Sequence, residues 1–368
     1  MPITLDGTNG ITTPSYGGAD TAEYLVPVTQ FKNRIINGAM MIDQRNAGAS
    51  VTITDTGALT YTLDRWFGYG SAASKFSIQQ NAGSVTPPAG FSNYLGVTSA
   101  SAYSVTSGDL FFIGQAIEGF NTADLNWGTA NAKTVTLSFW VRSSLTGTFG
   151  ASVQNSASSR SYPFSFTISS ANTWEQKSVT IAGDTTGTWV GATNGIGLRL
   201  FVSLGMGSTY SGTAGAWVGS DIRSATGATS VVGTNGATFY ITGVQLEVGS
   251  TATSFDYRPY GTELALCQRY FQINKRISGI TADTTTVNCN LIYYCTMRVA
   301  PTLGQQGVIQ INDNGVNSTQ SSVSITSLNS DNEGTFAQLG NFSGLTANRP
   351  AILRLNANTN GITLSSEL

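Results

Sequence analysis

The sequence predicts an all-β protein, and three observations carry the prediction. Glycine supplies 42 of 368 residues while charged residues make up only 10%, the makeup of a chain full of tight turns whose polar positions are Ser, Thr and Asn. Short runs of alternating apolar residues recur about every ten residues between turn signals, the spacing of a sandwich or barrel. The alternation yields to a helical period in one stretch, residues 262–271. Hydrophobic residues at 40% and aromatics at 10% supply a core, so the chain is not a disordered one.

Residues 1–30 read as an arm. Asp6-Gly7 and Asn9-Gly10 are turn pairs, Ser15-Tyr16-Gly17-Gly18 is a flexible joint, and apolar residues are too sparse for a core. Leu25, Val26, Val28 and Phe31 form an apolar run around Pro27 that either lies against a partner or frays as a terminus. Strands are expected at 51–54, 61–67, 75–80, 94–97, 110–117, 134–143, 147–153, 162–168, 175–181, 196–204, 217–218 and 239–248. The 110–117 run is apolar on both faces and therefore central. In 134–143, Val135, Leu137, Phe139 and Val141 share one face, while Thr136, Ser138, Trp140 and Arg142 share the other. Trp66 and Trp140 are expected in the core. The stretch 205–236 is too long for an ordinary connection and reads as a functional loop or a cover over an interface.

After the last of these strands comes an aromatic arm, Phe255-Asp256-Tyr257-Arg258-Pro259-Tyr260, which Pro259 biases towards extended backbone. Thr262 can cap the helix, Glu263 sits in its first turn, and Leu264, Cys267 and Phe271 fall on one face with Leu266 and Tyr270 beside it. Two roles stay open for this helix. It is a connector packed on the sandwich, or it offers Leu264, Cys267, Tyr270 and Phe271 to symmetry mates near an oligomer axis. Beyond it, strands are expected at 280–290, 291–298, 307–311, 322–325, 334–339 and 351–355. They make a small β unit with a thin private core that gains stability by packing against copies of itself. The expected organisation is an arm over 1–30, a β domain over 31–260, a connecting helix over 261–275 and a small β domain over 276–368.

Composition also excludes functions. A net charge of −2 gives no basic field for nucleic acid or an anionic membrane. Nothing approaches the ~20 apolar residues of a membrane span, and MPITLDGTNG lacks the pattern of a signal peptide. With no histidine, Ser-His-Asp and Cys-His nucleophiles, imidazole bases and His-based zinc sites are ruled out. Cys267, Cys289 and Cys295 fit no zinc pattern and read as buried free thiols suited to a reducing cytoplasm, a Cys289–Cys295 bridge being the rarer alternative. Asp43, Asp64, Glu118, Asp124, Glu175 and Glu247 are scattered, and no spacing places two on one strand face as glycoside hydrolysis needs. Asp64 beside Arg65, and Asp256 near Arg258, read as ion pairs or turn caps. No catalytic residue, metal ligand or cofactor is expected; a structural calcium at an Asp/Asn turn is conceivable, without EF-hand spacing. The glycine run 191–197 lacks the context of a phosphate loop. Trp189, Tyr210 and Trp217, close to Gly-rich loops, are the candidate glycan contacts, with aromatic packing as their alternative reading.

The segment GVQLEVGSTATSFDYRPYGTELALCQRYF (243–271) resembles a sequence recurrent at the end of the jelly-roll domain in tailed-bacteriophage fibre and minor virion structural proteins. NGAMMIDQRN (37–46), YTLDRW (61–66), GQAIEGFN (114–121) and VTLSFWVRSS (135–144) extend the resemblance over roughly residues 31 to 272. It implies a jelly-roll β-sandwich similar to carbohydrate-binding modules, a homotrimer, an N-terminal arm attached to other virion proteins, and contact with host surface glycan. The expectation is a non-enzymatic tail fibre subunit located in the virion. Its rivals are a purely structural head-fibre, collar or adaptor protein, and a polysaccharide depolymerase.

Overall fold

The computed structural model of the chain describes residues 4–6, 10–12, 32–275, 277–313, 317–355 and 361–368. The chain falls into two compact units, Met1–Lys32 and Asn33–Leu368. In the first, β1 (Thr4–Asp6) and β2 (Gly10–Thr12) pair antiparallel with Asp6 opposite Gly10. The expected apolar run at Leu25, Val26, Val28 and Phe31 lies outside the described residues.

The second unit begins with a jelly-roll sandwich. In chain order its strands are β3 (Val51–Thr52), β4 (Thr60–Tyr61), β5 (Phe67–Gly70), β6 (Phe76–Gln80), β7 (Leu95–Ser99), β8 (Leu110–Glu118) and β9 (Val135–Ser143). There follow β10 (Gly147–Gln154), β11 (Ser161–Ile168), β12 (Glu175–Ile181), β13 (Ile196–Met206), the short parallel pair β14 (Ser211–Gly212) and β15 (Ser224–Ala225), and β16 (Thr238–Val248). One six-stranded sheet runs β12-β9-β16-β7-β6-β3 and the other β11-β10-β13-β8-β5-β4. Every pairing within them is antiparallel. Alternation decides what lies between the sheets: Val135, Leu137, Phe139 and Val141 from β9 join Phe111, Ile113, Phe149, Leu200 and Val202 in one core. β8 is buried on both faces, as its apolar run predicts, because Phe112 and Ala116 pack with Phe67 and Phe201 on the outer side.

Two expected strands of the sandwich take another form. Residues 61–67 do not run straight. Arg65 has φ +70° and the Thr62 N–H donates to the Trp66 carbonyl at 2.9 Å, so the chain turns back tightly between β4 and β5. The turn drops Leu63 and Trp66 into the core. Residues 217–218 contribute a single bridge from Val218 to Ser161. The long stretch 205–236 closes over the outer face of the second sheet. Ser152 Oγ donates to the Ile222 carbonyl at 2.8 Å, Arg223 lies 5.1 Å from the Phe201 ring centre, and Val231 and Val232 enter the core.

The helix is α1 (Tyr260–Gln268), shifted towards the N-terminus of the expected 262–271. Both Thr262 N–H and Glu263 N–H donate to the Pro259 carbonyl, at 3.0 and 3.1 Å, so proline opens the helix and Thr262 does not cap it. Phe271 lies beyond the helix and opens β17 (Phe271–Asn274). The remaining strands are β18 (Ser278–Thr281), β19 (Val287–Ile292), β20 (Thr302–Gln306), β21 (Ile309–Asn312), β22 (Asn317–Gln320), β23 (Ser324–Ser330), β24 (Gly334–Gly340), β25 (Pro350–Leu355) and β26 (Gly361–Ser365). They form a three-stranded sheet, β17-β26-β20, and a seven-stranded sheet, β22-β21-β25-β18-β19-β24-β23.

The expected 280–290 strand is instead a hairpin of β18 and β19. Asp283 makes its turn by accepting the Thr285 and Thr286 N–H groups at 2.6 and 2.8 Å. No strand follows Ile292 across 293–298, because side chains there replace the ladder: Gln272 Oε1 takes the Tyr294 N–H at 2.9 Å. The core of this region is not thin. Val287, Cys289, Leu291, Met297, Ile309, Leu339, Leu353, Ile362 and Leu364 are all buried in it.

Charges are scarce, and many of them gather where α1, β17 and the C-terminal residues meet the sandwich. Arg65 is 1% exposed; it pairs with Glu367, donates to the Ala116 carbonyl, and its guanidinium lies 3.6 Å from the centre of the Tyr270 ring. Arg45 also bonds Glu367, at 2.6 Å, and stacks 3.7 Å above the Phe271 ring. Glu118 accepts from Arg269 at 2.6 and 2.9 Å and from the Tyr270 hydroxyl at 2.6 Å. Burial alone would raise Glu118, but these hydrogen bonds outweigh it and hold the carboxyl below its usual range. Asp64 goes the other way: burial pushes it up to about 6 despite Arg45 and the hydrogen bonds from Gln44.

Two outcomes are expected. Glu367→Gln strands the buried Arg65 charge and costs about 3 kcal/mol in denaturant unfolding. Folded Asp64 keeps a proton that the unfolded chain releases near pH 4, so its contribution to stability falls as pH rises from about 4 to about 6 and is constant above. The stability of Asp64→Asn relative to the parent, measured by denaturant unfolding from pH 4 to 7, therefore climbs by up to about 3 kcal/mol across that window.

Candidate functional site

The structure brings two of the three candidate glycan contacts together. Trp189 and Trp217 join Trp127 in a cluster with ring centres 4.8, 5.2 and 5.5 Å apart, all edge to face. Each indole N–H is already taken: Trp127 donates to the Lys133 carbonyl, Trp217 to the Ala182 carbonyl, and Trp189 to Asp184 at 3.3 Å. Asp184 is held in turn by Arg160 at 2.7 and 2.8 Å. A small cleft opens beside Trp127 and Trp189, lined also by Thr122, Leu125, Val190 and Leu198. The three N–H groups are thus engaged within the fold, Trp189 and Trp217 stay partly exposed, and this cluster closes one end of the core. Tyr210 lies apart from it, with Arg223 5.7 Å from its ring centre.

The four proposed interface residues are differently placed. Cys267, Tyr270 and Phe271 are buried within the single chain, and Leu264 is half-buried against Ile36, Ile42, Cys267 and Tyr270. Tyr270 is sandwiched between Arg65 and Glu118, and Phe271 lies under Arg45. Cys267, Tyr270 and Phe271 thus have almost no surface to offer a second copy, while Leu264 keeps part of its own.

The outer face of the first sheet carries a feature that sequence reasoning assigned to the core. Trp140 is half-buried there, with Gln176 of β12 and Thr242 of β16 as its cross-strand partners. Among the described residues nothing accepts its indole N–H and no aromatic ring packs on it. Gln176 and Ser178 are exposed beside it. Towards the next row of the sheet, Trp174 packs 5.5 Å from Tyr94, and Tyr94 5.1 Å from Tyr240. Arg142 lies 5.5 Å from the Tyr240 ring and bonds the Asn172 carbonyl. After Thr242, β16 bulges at Gly243 with φ +60°. A Cβ at this glycine would sit 2.6 Å from the Phe91 ring, which itself packs with Phe255 and the exposed Tyr257. The exposed part of this indole, bordered by amide, hydroxyl and guanidinium groups, suits a pyranose, whose C–H face stacks on the ring while its hydroxyls find polar partners. The sequence did contain the signal, since alternation puts Trp140 opposite Val135, Leu137, Phe139 and Val141.

The carboxylates have other work. Asp124 pairs with Arg34, Glu175 with Lys177 at 2.6 Å, Asp221 with Arg223 at 2.8 Å, and Glu247 accepts the Thr253 hydroxyl at 2.6 Å. Among the described residues no three Cys, Asp or Glu side chains converge as a metal site, and no helix is long and apolar enough to cross a membrane. Cys267, Cys289 and Cys295 are free thiols; burial raises Cys289 to about 12.

No family profile and no curated protein matches the chain. Among solved structures it is similar to a Bacteroides thetaiotaomicron VPI-5482 protein provisionally described as sugar binding. The TM-score is 0.34 at 14% identity, over 59% of this chain and 100% of that one. It is also similar to the enzymatically active domain of bacteriophage CBA120 tailspike protein 4, with TM-score 0.29 and 13% identity, over 59% of this chain but only 21% of the tailspike chain. A third is the family 11 carbohydrate-binding module of Clostridium thermocellum, with TM-score 0.26 and 10% identity, over 55% of this chain and 97% of the module. Likeness at this level says nothing about a ligand.

The two tryptophan settings separate by stability. Trp127→Ala opens a cavity in the core and costs about 3–5 kcal/mol, whereas Trp140→Ala costs about 1 kcal/mol, both read by denaturant unfolding.

Proposed function

We propose that the chain is a non-enzymatic virion protein, most like a tail fibre subunit, whose sandwich holds a host-surface glycan against the outer face of its first sheet. The observation that carries this reading is Trp140, a half-buried ring with an uncommitted N–H on a face of amides and hydroxyls. The resemblance of residues 243–271 to phage fibre proteins supports the setting. In it, residues 1–30 attach to other virion proteins, 31–260 form the binding domain, 261–275 connect, and 276–368 complete a homotrimer. Several copies convert weak sugar contacts into firm attachment through effective concentration. The ion partners of Glu118, Asp124, Glu175 and Asp184 support binding without bond cleavage.

A glycan array with the parent and Trp140→Ala proteins tests the proposal. Retention of a defined glycan by the parent, weakened about tenfold or more by the substitution, is the expected result, since one ring stack is worth about 1.4 kcal/mol or more. Retention that survives Trp140→Ala but fails in Trp189→Ala would return the site to the cluster at the end of the core. Reducing ends released from host polysaccharide would establish the depolymerase.

A further inference from the structure

Two residues along β9 from Trp140, on the same outer face, stands a cation without a counter-ion. Arg142 is half-buried opposite Tyr240 of β16, its guanidinium 5.5 Å from the centre of that ring. Its Nε donates to the Asn172 carbonyl at 2.9 Å, and this bond together with the aromatic ring holds the head group in place. Among the described residues nothing accepts from its two Nη groups, and both reach solvent. Other arginines of the sandwich differ: Arg34, Arg160, Arg223 and Arg269 each face a carboxylate.

Two acids lie on neighbouring strands, and neither neutralises Arg142. Glu175 stands opposite Val141, a position that alternation sends to the other side of the sheet, and it is matched by Lys177 at 2.6 Å. Glu247 shares the outer face, but it is in register with Thr136, six residues and about 20 Å from Arg142 along β9. It is buried there, and Gln245 and Thr253 donate to its oxygens.

We infer that the glycan held at Trp140 is an acidic one, with a sugar ring stacked on the indole and its anionic group taken by Arg142. This deepens the binding reading above and rests on it. Alternate residues of a strand lie about 7 Å apart, so a pyranose on Trp140 brings an acid group on the same sugar, or on the next one, to the Arg142 head. The Nη groups form a fork that matches a carboxylate or a phosphate oxygen pair. Gln176 and Ser178, both exposed, remain for the hydroxyls. A neutral glycan would leave the guanidinium without a counter-charge. The net charge of −2 supplies no long-range pull on a polyanion, so the selection acts within the contact itself.

An array on the full chain tests the inference. It carries uronate-containing polysaccharides, the carboxyl-reduced form of each, and phosphodiester-linked polysaccharides. The parent is expected to retain acidic members, and to hold a uronate polymer tenfold or more tighter than its carboxyl-reduced form. Retention of the phosphodiester members alone, lost in Arg142→Gln, supports the inference with phosphate as the acid. Arg142→Gln is expected to weaken the acidic form tenfold or more and the reduced form by no more than about twofold. Should the glutamine variant not fold, Arg142→Lys keeps the charge without the fork, and is expected to weaken the acidic form while still preferring it to the reduced one. Equal retention of acidic and reduced forms by the parent, or equal weakening of both by Arg142→Gln, overturns the inference; the second outcome would make Arg142 merely the anchor of Asn172. Neutral retention that Trp140→Ala abolishes defeats the acid preference alone, whereas an array with nothing retained defeats the binding site as well.

Discussion

The unit from Asn33 onward depends on the burial of one guanidinium. Arg65 sits in a positive-φ turn with almost no exposed surface, between the Ala116 carbonyl, the Tyr270 ring and the Glu367 carboxylate. A buried cation is tolerated only where partners surround it, so the turn, the helix exit and the C-terminal residues must arrive together. Arg45 bonding Glu367, and Glu118 gripping Arg269 and Tyr270, extend the same requirement across the seam. With charged residues at 10% of the chain, this concentration marks the seam as the place where electrostatics, and not apolar area, fixes how the parts fit.

Away from the seam, the sheets are built by apolar alternation and finished by neutral polar side chains. The outer face of the first sheet shows how function fits into that scheme. β16 is roofed there by the 81–94 loop and the 249–258 arm, with Thr242 bonding the Asn93 carbonyl and Thr136 the Gly249 carbonyl. The arm also reaches one end of β9 and β12, where Thr136 and Thr180 bond the Gly249 and Ser250 carbonyls, and Trp140 lies farther along β9 beside the exposed Gln176 and Ser178. The same kind of side chain packs at the core's end, where Trp127, Trp189 and Trp217 meet edge to face.

Much of the fold was legible in the sequence because alternation is a local signal. β8, β9, β12 and β16 fall where the patterns of residues 110–117, 134–143, 175–181 and 239–248 put them, and the two-faced burial of β8 follows from its unbroken apolar run. What misled was context beyond the reach of a short window. YTLDRWF has the pattern of a strand, but pairing of Arg65 with Glu367 bends it into a turn. Phe271 continues a helical period, yet hydrogen bonding to β26 takes it into a sheet. Trp140 was assigned to the core from the habits of tryptophan in general, against the alternation of its own strand. Tyr270 and Cys267 looked available for assembly only because sequence does not show that Ile36, Ile42 and Glu118 enclose them.

The pairing of Arg65 with Glu367 spans 302 residues, and a ribosome adding about 5–20 residues per second needs roughly 15 to 60 seconds to cover that distance. Through that interval Arg65 has water and the Ala116 carbonyl for partners, and its ion pair forms only once the C-terminal residues emerge. A fragment that stops short of Glu367 therefore carries the same uncompensated cation that Glu367→Gln leaves in the full chain.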